Sequence, residues 1–116
     1  MASSKTDLMT LVERETRPVE LAGKTFLVRE LTDRERAMWE IDCLDDEGKR
    51  DIIAMESMRT RLIVKCLVDD AGNRIFTDEE AEDLSEWPVS VTAKLWTVCS
   101  EMCGLDDDDK AQAVKN

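Results

Sequence analysis

Histidine is absent from this chain of 116 residues, and with it the commonest general base of enzymes. The serine and cysteine triads that rely on a histidine base are excluded for the same reason. Long apolar runs are missing too, since no stretch approaches the roughly 18 residues of a membrane-spanning helix. Residues 1–10 also lack the apolar core of a signal peptide. We therefore predict a non-enzymatic, cytoplasmic protein that does not bind a membrane.

Positive charge is scarce in this sequence. The 16 Lys and Arg residues stand against 27 Asp and Glu residues, which gives a formal net charge of −11. Such a chain repels phosphate backbones and anionic lipid surfaces. We therefore expect no direct binding to nucleic acid, whereas a basic protein partner suits the charge. The length predicts a single domain with a modest core.

Ligands for soft metals are few. The cysteines are Cys43, Cys66, Cys99 and Cys103, and only the last two lie one helical turn apart. A structural zinc site usually combines two such close pairs, or one pair with histidines. Because nothing indicates secretion, reduced thiols are the default state. We predict buried or half-buried free thiols, with no metal and no cofactor.

One segment has some of the features of a calcium-binding loop: residues 68–84, VDDAGNRIFTDEEAEDL. An EF-hand loop that began at Asp69 would place Arg74 at the position where Gly is required. That arginine would also bring a cation close to the ion. Asp70, Gly72 and Asn73 instead have the composition of a tight turn, so the segment is predicted to be a connector.

Two apolar residues and a capping box complete this connector. Ile75 and Phe76 are expected to anchor the turn to the core. Thr77 is followed three residues later by Glu80, which is the pattern of a capping box at the start of a helix.

The spacing of apolar residues predicts a mainly α protein, a small domain of about four helices with an N-terminal β-hairpin; α+β is the alternative. The single globular domain is expected to span 17–105, with a flexible arm at 1–16 and a disordered acidic tail at 106–116. The hairpin is predicted at 17–30, and the helices at 33–44, 49–67, 78–84 and 88–103.

The predicted helix at 49–67 is the only clearly basic stretch of the chain. Its Arg59 and Arg61 either belong to a solvated face that balances the acidic helices or form a docking surface for an acidic segment. Trp39, in the preceding helix, is expected in the core or, alternatively, at a partner contact, where Trp is enriched.

Three segments in this order resemble the tail assembly chaperones of bacteriophages with long, non-contractile tails. The resemblance covers roughly residues 17–105. The segments are KTFLVRELTDRERAMWE at 24–40, VKCLVDDAGNRIFTDEEAEDLSEWP at 64–88, and the amphipathic helix that ends in MCGL at 102–105, before an acidic tail that ends in Lys115 and Asn116.

This resemblance implies a chaperone that binds the long, helical, aggregation-prone tape measure protein and helps tail tube protein assemble around it. Such chaperones act in the host cytoplasm and are absent from the mature virion. Many are made in two lengths by ribosomal frameshifting, and this chain is similar to the short form. The codons of Lys115 and Asn116 are then expected to be slippery. An unpaired hairpin edge is also expected to allow a homo-oligomer.

The resemblance suggests where a client would bind. We expect exposed apolar and basic groups at the contact, and charge reversal at both arginines is expected to weaken client binding without loss of helicity. For each tryptophan, a core role is the alternative. The candidate partner-binding residues are Trp39, Arg59, Arg61, Trp87 and Trp96.

A different class of acidic interaction protein is the rival hypothesis. A DNA mimic inhibits a nucleic-acid-binding protein with carboxylates that are spaced like phosphates on one surface. In this chain the acidic clusters at 45–47, 78–83 and 106–109 are separated by a basic helix. The chaperone hypothesis is therefore favoured over the mimic.

Overall fold

The computed structural model describes residues 1–44, 47–48 and 57–105 of the chain. Five α-helices and a three-stranded antiparallel sheet form this part of the protein. The strands are β1 (Thr16–Leu21), β2 (Lys24–Arg29) and β3 (Leu67–Val68). The helices are α1 (Lys5–Met9), α2 (Asp33–Asp42), α3 (Met58–Cys66), α4 (Ala81–Ser85) and α5 (Val89–Met102), and a 3₁₀ turn at Asp78–Glu80 precedes α4. The predicted mainly α fold with an N-terminal hairpin is confirmed.

The hairpin closes through a two-residue turn. Strands β1 and β2 pair from Thr16 opposite Arg29 to Leu21 opposite Lys24. Between them Ala22 and Gly23 both have positive φ, 53° and 78°, as required by the mirror-image turns that match strand twist. The predicted hairpin at 17–30 therefore starts one residue earlier and contains the turn expected from its sequence.

A third strand was not predicted. The sequence placed Leu67 at the end of a helix, but α3 ends at Cys66, and Leu67 and Val68 pair with β2 instead. Leu67 lies opposite Val28, and both side chains are buried. The helix prediction was wrong at this end because an apolar pair of residues satisfies either a helix or a buried strand.

A complete capping box starts α2 at Asp33, the predicted first residue of this helix. The Glu35 amide donates to the Thr32 hydroxyl at 3.1 Å, and the Thr32 amide donates to the Glu35 carboxylate at 2.9 Å. Arg14 reaches the same carboxylate at 2.7 Å and so attaches the end of the N-terminal arm to this helix. The helix ends at Asp42, slightly before the predicted end at residue 44.

Helix α3 occupies the centre of the core, and its Leu62, Ile63 and Val64 have no exposed surface. The first part of the predicted helix, 49–56, and the predicted disordered tail, 106–116, lie outside the described residues.

The last helix lies beside α3 and the hairpin. It runs from Val89 to Met102 within the predicted range 88–103, and Gly104 follows with a φ of 72°. The Leu105 amide donates to the Ser100 carbonyl at 3.0 Å, which closes the helix in the manner of a Schellman motif. Leu105 itself is buried, so this cap also seals one end of the core.

The N-terminal arm, which the sequence predicts to be flexible, contains a short helix. Ser4 and Asp7 form a capping box at the start of α1, with amide contacts of 3.2 and 3.0 Å. None of the α1 residues is buried. The apolar side chains of the arm are therefore exposed: Leu8, Met9, Leu11 and Val12.

Candidate partner-binding surfaces

Two of the three candidate tryptophans lie in the core. Trp39 is 6% exposed and Trp96 is 7% exposed, and their ring centroids are 6.4 Å apart. The indole nitrogen of Trp39 donates to the Met58 carbonyl at 2.8 Å, so its polar group is also satisfied internally. The sequence left open whether these rings lie in the core or at a partner contact. In the structure both lie in the core, and neither ring presents a surface to a partner in this conformation.

Both candidate arginines of α3 make internal contacts. The Arg59 guanidinium lies 5.6 Å from the ring centroid of Trp96, at a distance typical of a cation–π contact. Arg61 donates to the Asp42 carbonyl at 2.6 Å and to the Ser57 hydroxyl at 2.9 Å. Charge reversal at these positions would break structural contacts, so it cannot test client binding by itself.

Trp87 is the candidate tryptophan that reaches solvent. It is 36% exposed, and its ring meets the edge of Phe76 at 5.7 Å and an interplanar angle of 71°. Ile75 and Val89, next to this pair in the chain, are 45% and 71% exposed. We call these four residues the Trp87 surface. The expectation that Ile75 anchors the turn to the core was wrong, since only Phe76 of the two packs against it.

A second apolar surface lies on the solvent side of α2, where no binding residue was predicted. Met38, Ile41 and Leu44 are 48%, 57% and 39% exposed, and Ala37 beside them is exposed as well. We call these four residues the α2 outer face. Trp39 and Cys43 occupy the opposite, buried side of the same helix. The sequence contains a pattern that indicates this face, because the apolar residues at 37, 38, 41 and 44 follow helical spacing without the buried residues.

A cleft of about 350 Å³ between α3 and the 3₁₀ turn holds the most buried cation of the described residues. The Lys65 side chain is 8% exposed, and its Nζ lies 3.1 Å from the Asp78 carboxylate and 4.0 Å from that of Asp42. Arg74 binds the same oxygen of Asp78 at 2.8 Å. Partial burial raises the pKa of Asp78, but the hydrogen bonds from Arg74 and Lys65 lower it by more than burial raises it. The net pKa of Asp78 is therefore below its ordinary value. These pairs make the cleft a structural junction.

Arg74 also explains why the connector at 68–84 is no calcium loop. Its guanidinium donates twice to the Val64 carbonyl, at 3.0 and 3.1 Å, near the C-terminal end of α3. The Asp69 carboxylate, the first ligand in the hypothetical loop, accepts instead from the amides of Ala71 and Asn73, both at 2.9 Å. The potential ion ligands are thus used to close the turn, as the sequence predicted.

Three thiols meet between α3 and α5. Hydrogen bonds join the Cys66 thiol to those of Cys99 and Cys103. The bond from Cys103 lowers the pKa of Cys66, but the contact with Cys99 and burial raise it more, so the net pKa lies well above its ordinary value. The Cys66 thiol and burial likewise raise the pKa of Cys103. None of the four cysteines forms a disulfide, and Cys103 alone among them is more than marginally exposed.

Neither a metal centre nor a membrane span is found in the part of the chain that the structure describes. Within it, no three His, Cys, Asp or Glu side chains are arranged to hold a metal ion. Its helices are also too short or too polar to cross a bilayer.

Comparison with known proteins identifies a fold. The chain is similar to a solved structure described as the tail assembly chaperone of bacteriophage HK97, with a TM-score of 0.58 and 16% sequence identity. The match covers 85% of this chain and 98% of that chain. No protein family matches the sequence, and no curated protein is similar to it. The two proteins thus share a fold over nearly the whole length of the HK97 chain, as the sequence resemblance implied.

Proposed function

We propose that this protein is a non-enzymatic tail assembly chaperone, which binds a tape measure protein and assists assembly of the tail tube around it. The observation that carries the proposal is the fold shared with the HK97 chaperone over 85% of this chain. On this proposal the protein works in the host cytoplasm, contacts tail tube protein during assembly and is absent from the mature virion. A longer form that arises by frameshifting is part of the same proposal.

The α2 outer face is the surface that best suits the client. A protein that keeps an apolar helix soluble must itself expose apolar side chains. Met38 and Ile41 do so on α2, and Leu44 does so just after the helix ends. Apolar side chains at this spacing can pack against the apolar stripe of a second helix. Because Trp39 and Cys43 already fill the core side of α2, binding on the outer face leaves the core undisturbed.

The charge of the chain supports the same role. A net charge of −11 keeps a protein with exposed apolar patches soluble, since like-charged molecules repel one another. Exposed acidic groups also remain available to a client that carries basic residues. A chaperone of this kind needs no catalytic group, and the proposal assigns none.

Co-expression with the tape measure protein of the same phage tests this function. We expect the tape measure protein to move from the insoluble to the soluble fraction and to co-purify with the chain. The DNA-mimic hypothesis predicts a different result, namely salt-sensitive capture of a DNA-binding protein with no effect on the tape measure protein. A tape measure protein that stays insoluble at equal expression of both chains would contradict the proposal.

The codons give a separate test of the longer form. Sequencing through Lys115 and Asn116 is expected to show an A-rich slippery heptamer, and a tagged tape measure protein should then retain two forms of the chaperone. A coding sequence without such a heptamer would remove the frameshift from the proposal and leave the chaperone function untouched.

A further inference from the structure

The Trp87 surface, formed by Ile75, Phe76, Trp87 and Val89, is an exposed apolar region at the start of α5. Trp87 is held in place at one side: its amide donates to the Leu84 carbonyl at 3.0 Å, and its ring rests on the edge of Phe76. The other side of the ring faces solvent, with a relative exposure of 36%. A preordered, half-exposed tryptophan loses little conformational freedom on binding, which is why such residues often dominate interfaces.

Exposed carboxylates lie close to this surface in the chain. Asp83 and Glu86, which precede Trp87, form no ion pair with another described residue. Glu79 and Glu82 instead line the cleft that also contains Arg61 and Lys65. Asp83 and Glu86 therefore attract a basic ligand to the Trp87 surface.

The N-terminus of α5, close to Trp87 in the chain, carries a positive partial charge. This charge is too small to change the sign of the field at Trp87. Helix α5 begins after Pro88 with no side chain that caps its first amides. A helix N-terminus carries about half of a positive elementary charge. This partial charge is smaller than that of a single carboxylate, so the field at Trp87 remains negative.

From this arrangement we infer that the Trp87 surface binds a protein segment with an apolar anchor between lysines or arginines. Nucleic acid and anionic lipid do not fit, because both would meet the carboxylates with like charge. A second copy of this chain fits poorly for the same reason, since each copy carries a net charge of −11. The site belongs to the α4–α5 junction and shares no residue with the α2 outer face, so it goes beyond the client binding proposed above.

A peptide titration tests the inference on the full-length protein. The probe is a short, Trp-free peptide with a Leu-Phe anchor between flanking lysines. The three tryptophans of the chain supply three indole N–H signals in a nitrogen-15 NMR spectrum. We expect the Trp87 signal to move on titration, while the signals of the buried Trp39 and Trp96 stay in place.

Matched peptides separate the two parts of the recognition. A peptide with glutamates in place of the lysines, and one with alanines in place of the Leu-Phe anchor, should each bind at least about tenfold more weakly. Raising the salt concentration from roughly 50 to 300 mM should weaken the lysine peptide several-fold, because surface charges are screened at that ionic strength. Equal binding of all three peptides would overturn the inference.

Variants of the protein locate the site. Trp87→Ala should weaken the lysine peptide roughly tenfold, the loss expected for a modest hot spot, whereas Trp87→Phe should retain most of the affinity. Ile41→Glu, on the α2 outer face, should have no effect. Unchanged binding to Trp87→Ala, with a melting temperature close to that of the wild type, would refute the site. That result would not bear on co-expression with the tape measure protein, which tests the α2 outer face.

Discussion

The indole nitrogen of Trp39 donates a hydrogen bond to the backbone carbonyl oxygen of Met58 at 2.8 Å. This bond joins α2 to the first residue of α3, and the Trp39 ring continues into contact with Trp96 of α5. Three helices therefore meet at one side chain. Because Trp39 fixes which side of α2 faces inward, it also fixes Met38 and Ile41 on the outside, where they are 48% and 57% exposed.

Replacing this tryptophan tests its structural role. Trp39→Phe keeps an aromatic ring but leaves the Met58 carbonyl without its donor. We expect the free energy of unfolding to fall by about 1–3 kcal/mol, the cost of an unsatisfied buried polar group. Urea unfolding gives the value, and Trp87→Phe serves as the control, with an expected change of less than about 0.5 kcal/mol. Equal effects of the two substitutions would show that the hydrogen bond from the Trp39 indole does not stabilise the packing of α2.

Asp78 is expected to stabilise the fold through Lys65. The Lys65 side chain is 8% exposed, and after Asp78→Asn the one remaining ion pair between its ammonium group and a described residue is that with Asp42, at 4.0 Å. We predict a loss of roughly 1–3 kcal/mol in the free energy of unfolding, from a buried cation that loses its partner. Glu20→Gln changes the charge by the same amount at an exposed position that forms no ion pair with another described residue, and it should have little effect. A similar loss in both variants would point to net charge as the cause.

The pH dependence of the same pair has a definite sign. The net pKa of Asp78 is lowered in the folded protein, so its ion pairs contribute stability above the unfolded pKa, which is about 4. This contribution is lost as the pH falls through the lower, folded pKa. The difference in stability between the wild type and Asp78→Asn should therefore be constant from about pH 5 to 7 and shrink below about pH 4. A difference that grows on acidification would contradict the assignment.

Gly72 is expected to resist substitution more than Gly23. Both have positive φ, 85° and 78°, so alanine at either position costs about 1 kcal/mol or more in backbone strain. A Cβ at Gly72 would also lie 3.1 Å from the Arg29 guanidinium, which donates to the Gly72 carbonyl at 2.7 Å, while Gly23 faces open space. Thermal unfolding should show a larger loss for Gly72→Ala. A larger loss for Gly23→Ala would mean that the arginine contact adds nothing.

The thiols of the core should react slowly in the native protein. Cys66 has no exposed surface, and its raised pKa keeps the thiol protonated at neutral pH. Because the thiolate is the reactive form, iodoacetamide should label Cys66 only after unfolding in denaturant. Mass spectrometry of labelled peptides gives the extent at each cysteine. Rapid labelling of Cys66 without denaturant would show that the helices around it open readily.

Local sequence signals predicted where helices begin, and a contact with a distant part of the chain accounts for the error at Leu67. The pairs Thr32–Glu35 and Thr77–Glu80 start helices because each contact spans only three residues, and in both pairs the glutamate accepts from the threonine amide at 2.9 Å. The strand at Leu67 depends on β2, which is far away in the sequence. A local pattern cannot choose between helix and strand there.

The same reasoning applies to the candidate binding residues. Trp39 and Trp87 each have a glutamate as a direct neighbour, Glu40 and Glu86, yet one is 6% and the other 36% exposed. Which ring is buried depends on the packing of α3 and α5. That packing cannot be predicted from the residue type of the tryptophan or of its neighbours. The α2 outer face was missed because apolar residues occur on both sides of this helix, so that its periodicity alone did not separate the core side from the solvent side.

The most direct test of the account measures how much tape measure protein is kept soluble by variants of the α2 outer face. Met38→Glu combined with Ile41→Glu places two carboxylates on that face, and Lys94→Glu, at an exposed position of α5, changes the net charge by the same amount. With all chains folded and equally expressed, we predict at least about a tenfold loss of soluble tape measure protein for the double variant and wild-type levels for the control. Wild-type levels for both variants would contradict the assignment of the client to the α2 outer face.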